Sequence, residues 1–465
     1  MPAVAADASW RVTGQTLPGL DVFDRPVQSF MQSHGITCAQ LAISRNGKLG
    51  VARGYTLSSD EGFTTQPTSP FRIASISKPF TGTAVALLVE QGKLSLTDRV
   101  ADVLGWSATA DPRHQDITVL HLLEHEGGWD RDATFDPMFY DAEIATALGK
   151  PLPISQSDIV AYMLQRPLDF APGSRSVYSN FGYMLLGRVI EKVAGTSYAD
   201  FVRQHVLAPV GITRMALGHS VTPAVGEVPY VSATTVPSVM DDSRPLVPLP
   251  YGGYNLENMD AHGGWLSSGV DLVRYADRYF IATMTMMNRG VVPDSFTAPI
   301  AGSWTWEHDG SLPGDNTALY GRSSGDSALM VAILFNARNE QGADTYIPDV
   351  ENVLLPTIDG VSSWPGGDLS ARYFEASPTS PARPAKPHVH AGKGTLTITW
   401  SAPASGGAAI TGYVVTVGKT TKKVKAGTTS LTLHGLKKGT YRITVTAVNR
   451  VGASHPSPAA TAKVA

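Results

Sequence analysis

Two hydrophobic periods divide this chain. Up to about Pro365, apolar residues recur at helical spacing, as in Phe80, Ala84, Leu87 and Leu88 or along Phe181 to Val193. From Pro384 the pattern is strict alternation. Leu396, Ile398 and Trp400 point one way and Thr397 and Thr399 the other, and Tyr441, Ile443, Val445 and Ala447 repeat it. Short alternating strands separated by turn residues read as a β-sandwich. Between the two patterns, Gly366 to Arg383 is rich in Gly, Ser, Thr and Pro and reads as a linker. The predicted organisation is a tail over 1–14, a domain over 15–365, a linker over 366–383 and a sandwich over 384–465.

Charge is divided as unevenly as period. Eleven of the 37 Lys and Arg residues, and none of the 40 Asp and Glu, follow Pro384, so a chain of net charge −3 carries −14 before that point. A basic module on an acidic one can hold a protein near an anionic polymer or surface; it also describes a soluble spacer. No apolar run approaches the roughly 20 residues that span a bilayer. The one cysteine, Cys38, excludes an internal disulfide and sits in a strand-like run where burial is expected. The Ala-rich start, Met1 to Ala8, reads either as the end of a cleaved export signal or as a plain tail.

The first domain reads as α+β. A short helix over Val27 to His34 precedes strands at Ala39 to Arg45 and Gly50 to Tyr55, joined by an Asn46-Gly47 hairpin turn. A helix-rich stretch runs from Thr81 to Gly218. Val221 to Pro250 has no readable period and is predicted as loop. A helix over Val270 to Ala282 follows, then strands at Ser303 to Glu307, Ala318 to Arg322 and Ala328 to Asn336, and a last helix over Pro348 to Leu355.

Three short motifs in this domain can carry chemistry. In Phe71 to Thr81, Ser75 and Lys78 are one helical turn apart on one face. A serine hydroxyl is a weak nucleophile until a neighbour takes its proton. An amine one turn away can do so if burial or other cations lower its pKa. A helix N-terminus also offers N–H groups to an oxyanion. Alone, the pair is better described as a capped surface helix with a solvated lysine. Tyr178-Ser179-Asn180 follows about a hundred residues on, where Tyr178 could be a core residue and Asn180 a helix cap. His308-Asp309-Gly310-Ser311 lies near the domain's end in a strand context. His121 and His125 have metal-ligand spacing without an evident third ligand.

Taken together, Phe71 to Lys78, Ile117 to Gly128, Pro172 to Gly187, Gly263 to Ser268 and His308 to Gly314 resemble, in order, the landmarks of the serine β-lactamase-like and penicillin-recognising hydrolases, in the branch of class C β-lactamases, DD-peptidases and related esterases. The likeness covers about Gln15 to Pro365. It implies an antiparallel sheet with flanking helices beside a helical lobe, and acyl transfer through Ser75. Lys78 and Tyr178 would handle the proton as a coupled pair. Asn180 would orient Lys78 and the acyl group. The N–H groups of Ser75 and Ser311 would form the oxyanion hole, and Gly310 would let its strand approach the substrate. No cofactor or metal is implied. The sequence departs from the common Lys-Thr-Gly motif at His308-Asp309-Gly310. A carboxylate at Asp309, if it faces the cleft, repels substrate carboxylates and favours neutral or cationic esters and amides. The tail from Pro384 resembles a bacterial fibronectin type III domain, with Leu436 and Tyr441 fitting a tyrosine corner. The expected protein is a secreted carboxylesterase, with DD-peptidase, D-amino-acid amidase or weak β-lactamase as the alternative and a cell-wall-binding sensor as the non-enzymatic one. Its partners would be a small ester or amide and an anionic wall polymer, with no nucleic acid and no membrane span.

Overall fold

Asn46 and Gly47 start the first sheet. Both adopt left-handed φ, 51° and 73°, and close a hairpin in which Arg45 faces Lys48. The computed structural model describes residues 9–58, 62–107, 109–290, 303–324, 327–340, 345–374, 380–406, 409–449 and 451–465. It divides into two compact units, Met1–Tyr373 and Phe374–Ala465.

Six strands form the main sheet of the first unit: β1 (Ser9–Thr16), β2 (Cys38–Arg45), β3 (Lys48–Ser58), β4 (Trp304–Leu312), β5 (Asp315–Ser324) and β6 (Ser327–Phe335). They run antiparallel in the order β1-β3-β2-β6-β5-β4. Helix α1 (Asp24–His34) lays Val27, Phe30 and Met31 on one face, and Gly35 at φ 66° ends it. Leu41, Ile43, Val51 and Ile333 meet these residues in a shared core, together with Val350, Leu354 and Ile358 of the last helix (Ile347–Asp359). Helix α2 (Ser77–Glu90) is buried along most of its length, as a helix apolar on nearly all sides must be. Helix α3 (Val119–Leu123) and helix α4 (Asn180–Ala194) build the helical lobe. Ser179 Oγ caps α4 by accepting the Gly182 N–H at 3.1 Å, and Gly195 at φ 68° ends it.

The sheet corrects two boundaries. Residues 9–14, placed in the tail, belong to an edge strand, Ser9–Thr16, that pairs with β3 along its whole length. Its side chains are mostly polar because an edge strand buries little, so it carries no periodic signal. Residues 1–8 lie outside the described set. The predicted linker also starts too early: Asp368 accepts the Leu49 N–H at 3.0 Å and Leu369 donates to the Leu49 carbonyl at 2.9 Å, fixing this stretch to the first unit. Residues 375–379 of that linker lie outside the described residues. The helix expected over Val270 to Ala282 runs on, through a wider turn at Ala276–Phe280, to Arg289. The Val221 to Pro250 stretch is irregular apart from a short ladder between Thr235–Pro237 and Leu246–Pro248.

The second unit packs a three-stranded sheet, β7 (His388–Gly392), β8 (Thr395–Thr399) and β11 (Ser430–His434), against a four-stranded one, β9 (Ile410–Val417), β10 (Thr420–Lys425), β12 (Gly439–Asn449) and β13 (Ala460–Val464). The alternating residues supply the core: Leu396, Ile398 and Trp400 from one side, Tyr413, Val415, Ile443 and Val445 from the other. Tyr441 OH donates to the Lys437 carbonyl at 2.8 Å, the tyrosine corner expected from sequence.

Candidate active site

Ser75 lies in a 3-10 turn, Ala74–Ile76, that runs straight into α2. The turn is fed by the short strand Phe71–Arg72, which pairs with Trp265–Ser267. Ala74 takes φ 42°, a left-handed value that costs a non-glycine residue about 1–3 kcal/mol and must be held by its surroundings. One turn on, Lys78 is fully buried. Its Nζ is 3.1 Å from Ser75 Oγ, 2.8 Å from Asn180 Oδ1 and 3.0 Å from the His262 carbonyl oxygen. As an ammonium, Lys78 donates one N–H to each of the three; as a neutral amine it keeps the bonds to Asn180 and His262 and turns its lone pair to the Ser75 hydroxyl. Burial pushes the Lys78 pKa down to about 7; the Asp136 carboxylate opposes that shift and Arg131 adds to it.

Tyr178 OH donates to Ser75 Oγ at 2.6 Å. Burial raises its pKa well above the ordinary phenol value, although Ser75 and Arg131 favour the phenolate. The tyrosine is therefore a proton donor in the resting site, and the amine is the group poised to accept. Lys78 Nζ and the Arg131 guanidinium each lie 4.6 Å from the Tyr178 ring.

Three supporting residues have no sequence signal beyond their local roles. Asp136 accepts from Asn180 Nδ2 at 2.6 Å, which fixes the amide so that its oxygen faces Lys78. Asp136-Pro137 is legible as a turn cap, and Asp136 does cap Met138 at 3.1 Å, but its second oxygen turns to Asn180. His125, at φ 61°, accepts the Ser179 N–H on Nδ1 at 3.1 Å and lies 4.6 Å from the Tyr178 ring, so it positions the loop that carries Tyr178. Burial pushes its pKa down to about 3. His121 Nδ1 likewise accepts a backbone N–H, from Thr118 at 3.3 Å. His262 supplies its carbonyl.

The period of two splits the His308 motif. Asp309 and Ser311 line a cleft of about 500 Å³ together with Ser75, Tyr178, Asn180 and Arg131; Arg338 also lines it. His308 and Gly310 point to the other face of β4. His308 is half-buried, and its Nδ1–H donates to the Asp309 carbonyl at 2.9 Å. Burial and the nearby Lys78 charge hold its imidazole pKa down. Gly310 corrects an expectation. It admits the backbone before Ser75 rather than a substrate: a Cβ there would stand 2.3 Å from the Ile73 carbonyl oxygen and 2.6 Å from Thr317 Oγ1. Gly310→Ala must therefore push β4 away from the Ser75 turn. The expected result is a folded protein destabilised by about 1–3 kcal/mol with kcat/KM lowered roughly 100-fold, read by thermal unfolding and ester turnover. Unchanged turnover would show that β4 and the turn move independently.

Residues 23–352 match the Beta-lactamase family and residues 382–463 the fibronectin type III domain. The chain belongs to the Beta-lactamase family. Penicillin-binding protein 4* of Bacillus subtilis (strain 168) is 35% identical to this β-lactamase-family chain over 146 residues, 31% of this chain and 30% of the relative. Protein flp of Staphylococcus aureus (strain MW2) is 29% identical over 189 residues, 40% of this chain and 36% of flp. The chain thus spans about a third of the length of these curated relatives. The crystal structure of D-amino acid amidase from Ochrobactrum anthropi SV3 complexed with L-phenylalanine shares the fold at TM-score 0.54 and 20% identity, over 73% of this chain and 100% of that one. Among the described residues, no helix is long and apolar enough to cross a membrane.

Proposed function

We propose that this chain is a secreted serine hydrolase that works through a Ser75 acyl-enzyme, and that it acts first as a carboxylesterase. The observation that supports catalysis is the buried Lys78 amine held between Ser75, Asn180 and His262. Ser75 Oγ adds to the ester carbonyl and its proton passes to Lys78 Nζ. The carbonyl oxygen takes the negative charge against the N–H groups of Ser75 and Ser311. The tetrahedral intermediate collapses and the C–O bond breaks. Tyr178 OH gives its proton to the departing alkoxide, and the proton that Lys78 took from Ser75 then restores the phenol. Water then attacks the acyl-enzyme in the reverse sense and releases the acid.

Asp309 supports the substrate class, because it shares the cleft with Ser75. An acyl donor that places a carboxylate beside it is repelled, whereas an uncharged group is not. A second reading has the same basis. The Asp309 carboxylate can pair with an α-ammonium, which suits amino-acid amides, and the amidase from Ochrobactrum anthropi shares the fold. Secretion is proposed on the fibronectin type III unit.

Initial rates on p-nitrophenyl butyrate, D-alanine p-nitroanilide and a chromogenic cephalosporin test this. In the native protein the ester should be fastest. Ser75→Ala should lower its turnover by roughly 10⁴-fold or more. Asp309→Asn should raise cephalosporin turnover relative to ester by about fivefold, the effect of a single unit charge near 4 Å in water. Faster anilide turnover that falls in Asp309→Asn would favour the amidase. Native preference for the cephalosporin would overturn the exclusion of carboxylates.

A further inference from the structure

The eleven cations after Pro384 have no carboxylate side chain to pair with in that stretch, and register shows where several of them gather. In the four-stranded sheet, Val415 and Val445 face each other in the core, and Lys422 follows them on the same side. The neighbouring positions therefore face outward. Lys423 and Lys425 stand on β10, with Lys423 opposite Val414 and Lys425 opposite Gly412. Val414 is in turn opposite Thr446, and Thr416 opposite Thr444. Arg442 lies one outward step beyond Thr444 and pairs with Thr461; Thr440, one step further, pairs with Lys463. The outward face is thus crossed by a diagonal of Lys425, Lys423, Thr416 with Thr444, Arg442 and Lys463, roughly 25–30 Å long at the spacing of a strand. All four cations are exposed.

We propose that this stripe binds a linear phosphodiester polymer, the backbone chemistry of an anionic wall glycopolymer. Charge complementarity supports the class: ammonium and guanidinium groups recur along a line, with the half-buried Thr416 between them and Thr444 buried beside it, and no acidic residue interrupts the line. The face also argues against other polyanions. Among the described residues it carries no Trp, Tyr or Phe, so neither nucleic-acid bases nor sugar rings have a stacking platform. Its apolar residues, Val414 and Val448, are half-buried and cannot wedge into a bilayer.

The test uses the full chain and immobilised poly(glycerol phosphate), a linear phosphodiester without bases. Native protein should bind with a log–log salt slope of about −3, as four phosphate contacts give on a single-stranded polyanion. Lys423→Gln with Lys425→Gln should weaken binding about tenfold at low salt. Lys386→Gln with Lys393→Gln removes the same charge elsewhere and should change it less than twofold. Adding Arg442→Gln and Lys463→Gln should abolish the slope, with ester turnover by Ser75 unchanged. Equal losses in the two double variants would mean that net charge alone binds, and would overturn the stripe. So would binding to anionic phosphatidylglycerol vesicles as tight as to poly(glycerol phosphate).

Discussion

Replacing Lys78 with methionine should lower kcat/KM for a p-nitrophenyl ester by about 10³-fold or more and erase the pH dependence near 7. General-base transfer contributes roughly 10²–10⁴-fold where the base is well placed, and Lys78 also orients Asn180. The sign follows from the shift. Burial brings the Lys78 pKa from 10.5 down to about 7, so below pH 7 the amine is protonated and cannot accept the Ser75 proton. In the native protein log kcat/KM should therefore rise with unit slope up to about pH 7 and level off above it. His125 is held down at about pH 3 and His308 is also lowered, so both are neutral across this range and add no inflection. Glu351, raised by burial and by Glu307 to about 7, and Asp315, raised by burial to about 8, are competing titrations near β4. The methionine variant separates them from Lys78, because a Glu351 or Asp315 inflection would survive in it. Lys78→Arg is the second probe. Arginine keeps a charge but cannot give up its proton, so it should be as inactive as methionine. An active arginine variant would move the proton acceptor to Tyr178.

How much of this was legible depends on where each residue's partner lies along the chain. Ser75 and Lys78 are one turn apart, and helix geometry alone puts them on one face. The hairpin at Asn46-Gly47 and the alternation in the sandwich are equally local. Tyr178 and Asn180 are over a hundred residues from Ser75, and only the family resemblance tied them to it. Asp136, His125 and the His262 carbonyl act through contacts 44 to 184 residues away; His125 was marked only by its spacing to His121 and by the landmark around it, neither of which gives its role beside Tyr178. Gly310 shows a subtler limit. Its need for a missing side chain was read correctly, but the group it makes room for is the Ile73 backbone. Strand β1 was missed because its stability comes from ladder bonds to β3, which leave little trace in side-chain pattern. The Val221 to Pro250 stretch was read as plain loop, yet it holds Glu227 and Tyr230, which anchor the strand leading to Ser75.

Arg72→Met should therefore cost about 3–5 kcal/mol of stability and reduce turnover as well, although Arg72 touches no substrate. The side chain is fully buried. Its guanidinium pairs with Glu227 at 3.5 Å and donates to the Pro250 carbonyl at 2.6 Å, Tyr254 OH at 2.7 Å and the His219 carbonyl at 3.1 Å. It also lies 4.5 Å from the Tyr230 ring, and Tyr230 OH accepts the Arg72 N–H at 2.8 Å while donating to Glu227 at 2.9 Å. One cation thus ties the irregular stretch around Tyr230, Pro250 and Tyr254 to the short strand three residues before Ser75. Methionine removes the cation and leaves Glu227 buried without a counter-charge, which is the expensive way to break such a pair. Glu227→Gln should cost less. The amide keeps an acceptor for Tyr230, and Asp315, buried nearby and held protonated up to about pH 8, can ionise beside Arg72 to replace the lost charge. The double variant should be more stable than the sum of the two losses predicts, by about 1–3 kcal/mol, because the Glu227 charge that Arg72→Met alone strands is absent from it. Calorimetry on the full chain, following the transition of the first unit, measures all three. A loss under 1 kcal/mol in Arg72→Met would show that the loops hold the Ser75 strand without it. Strict additivity in the double variant would show that Arg72 acts through its carbonyl contacts rather than through Glu227.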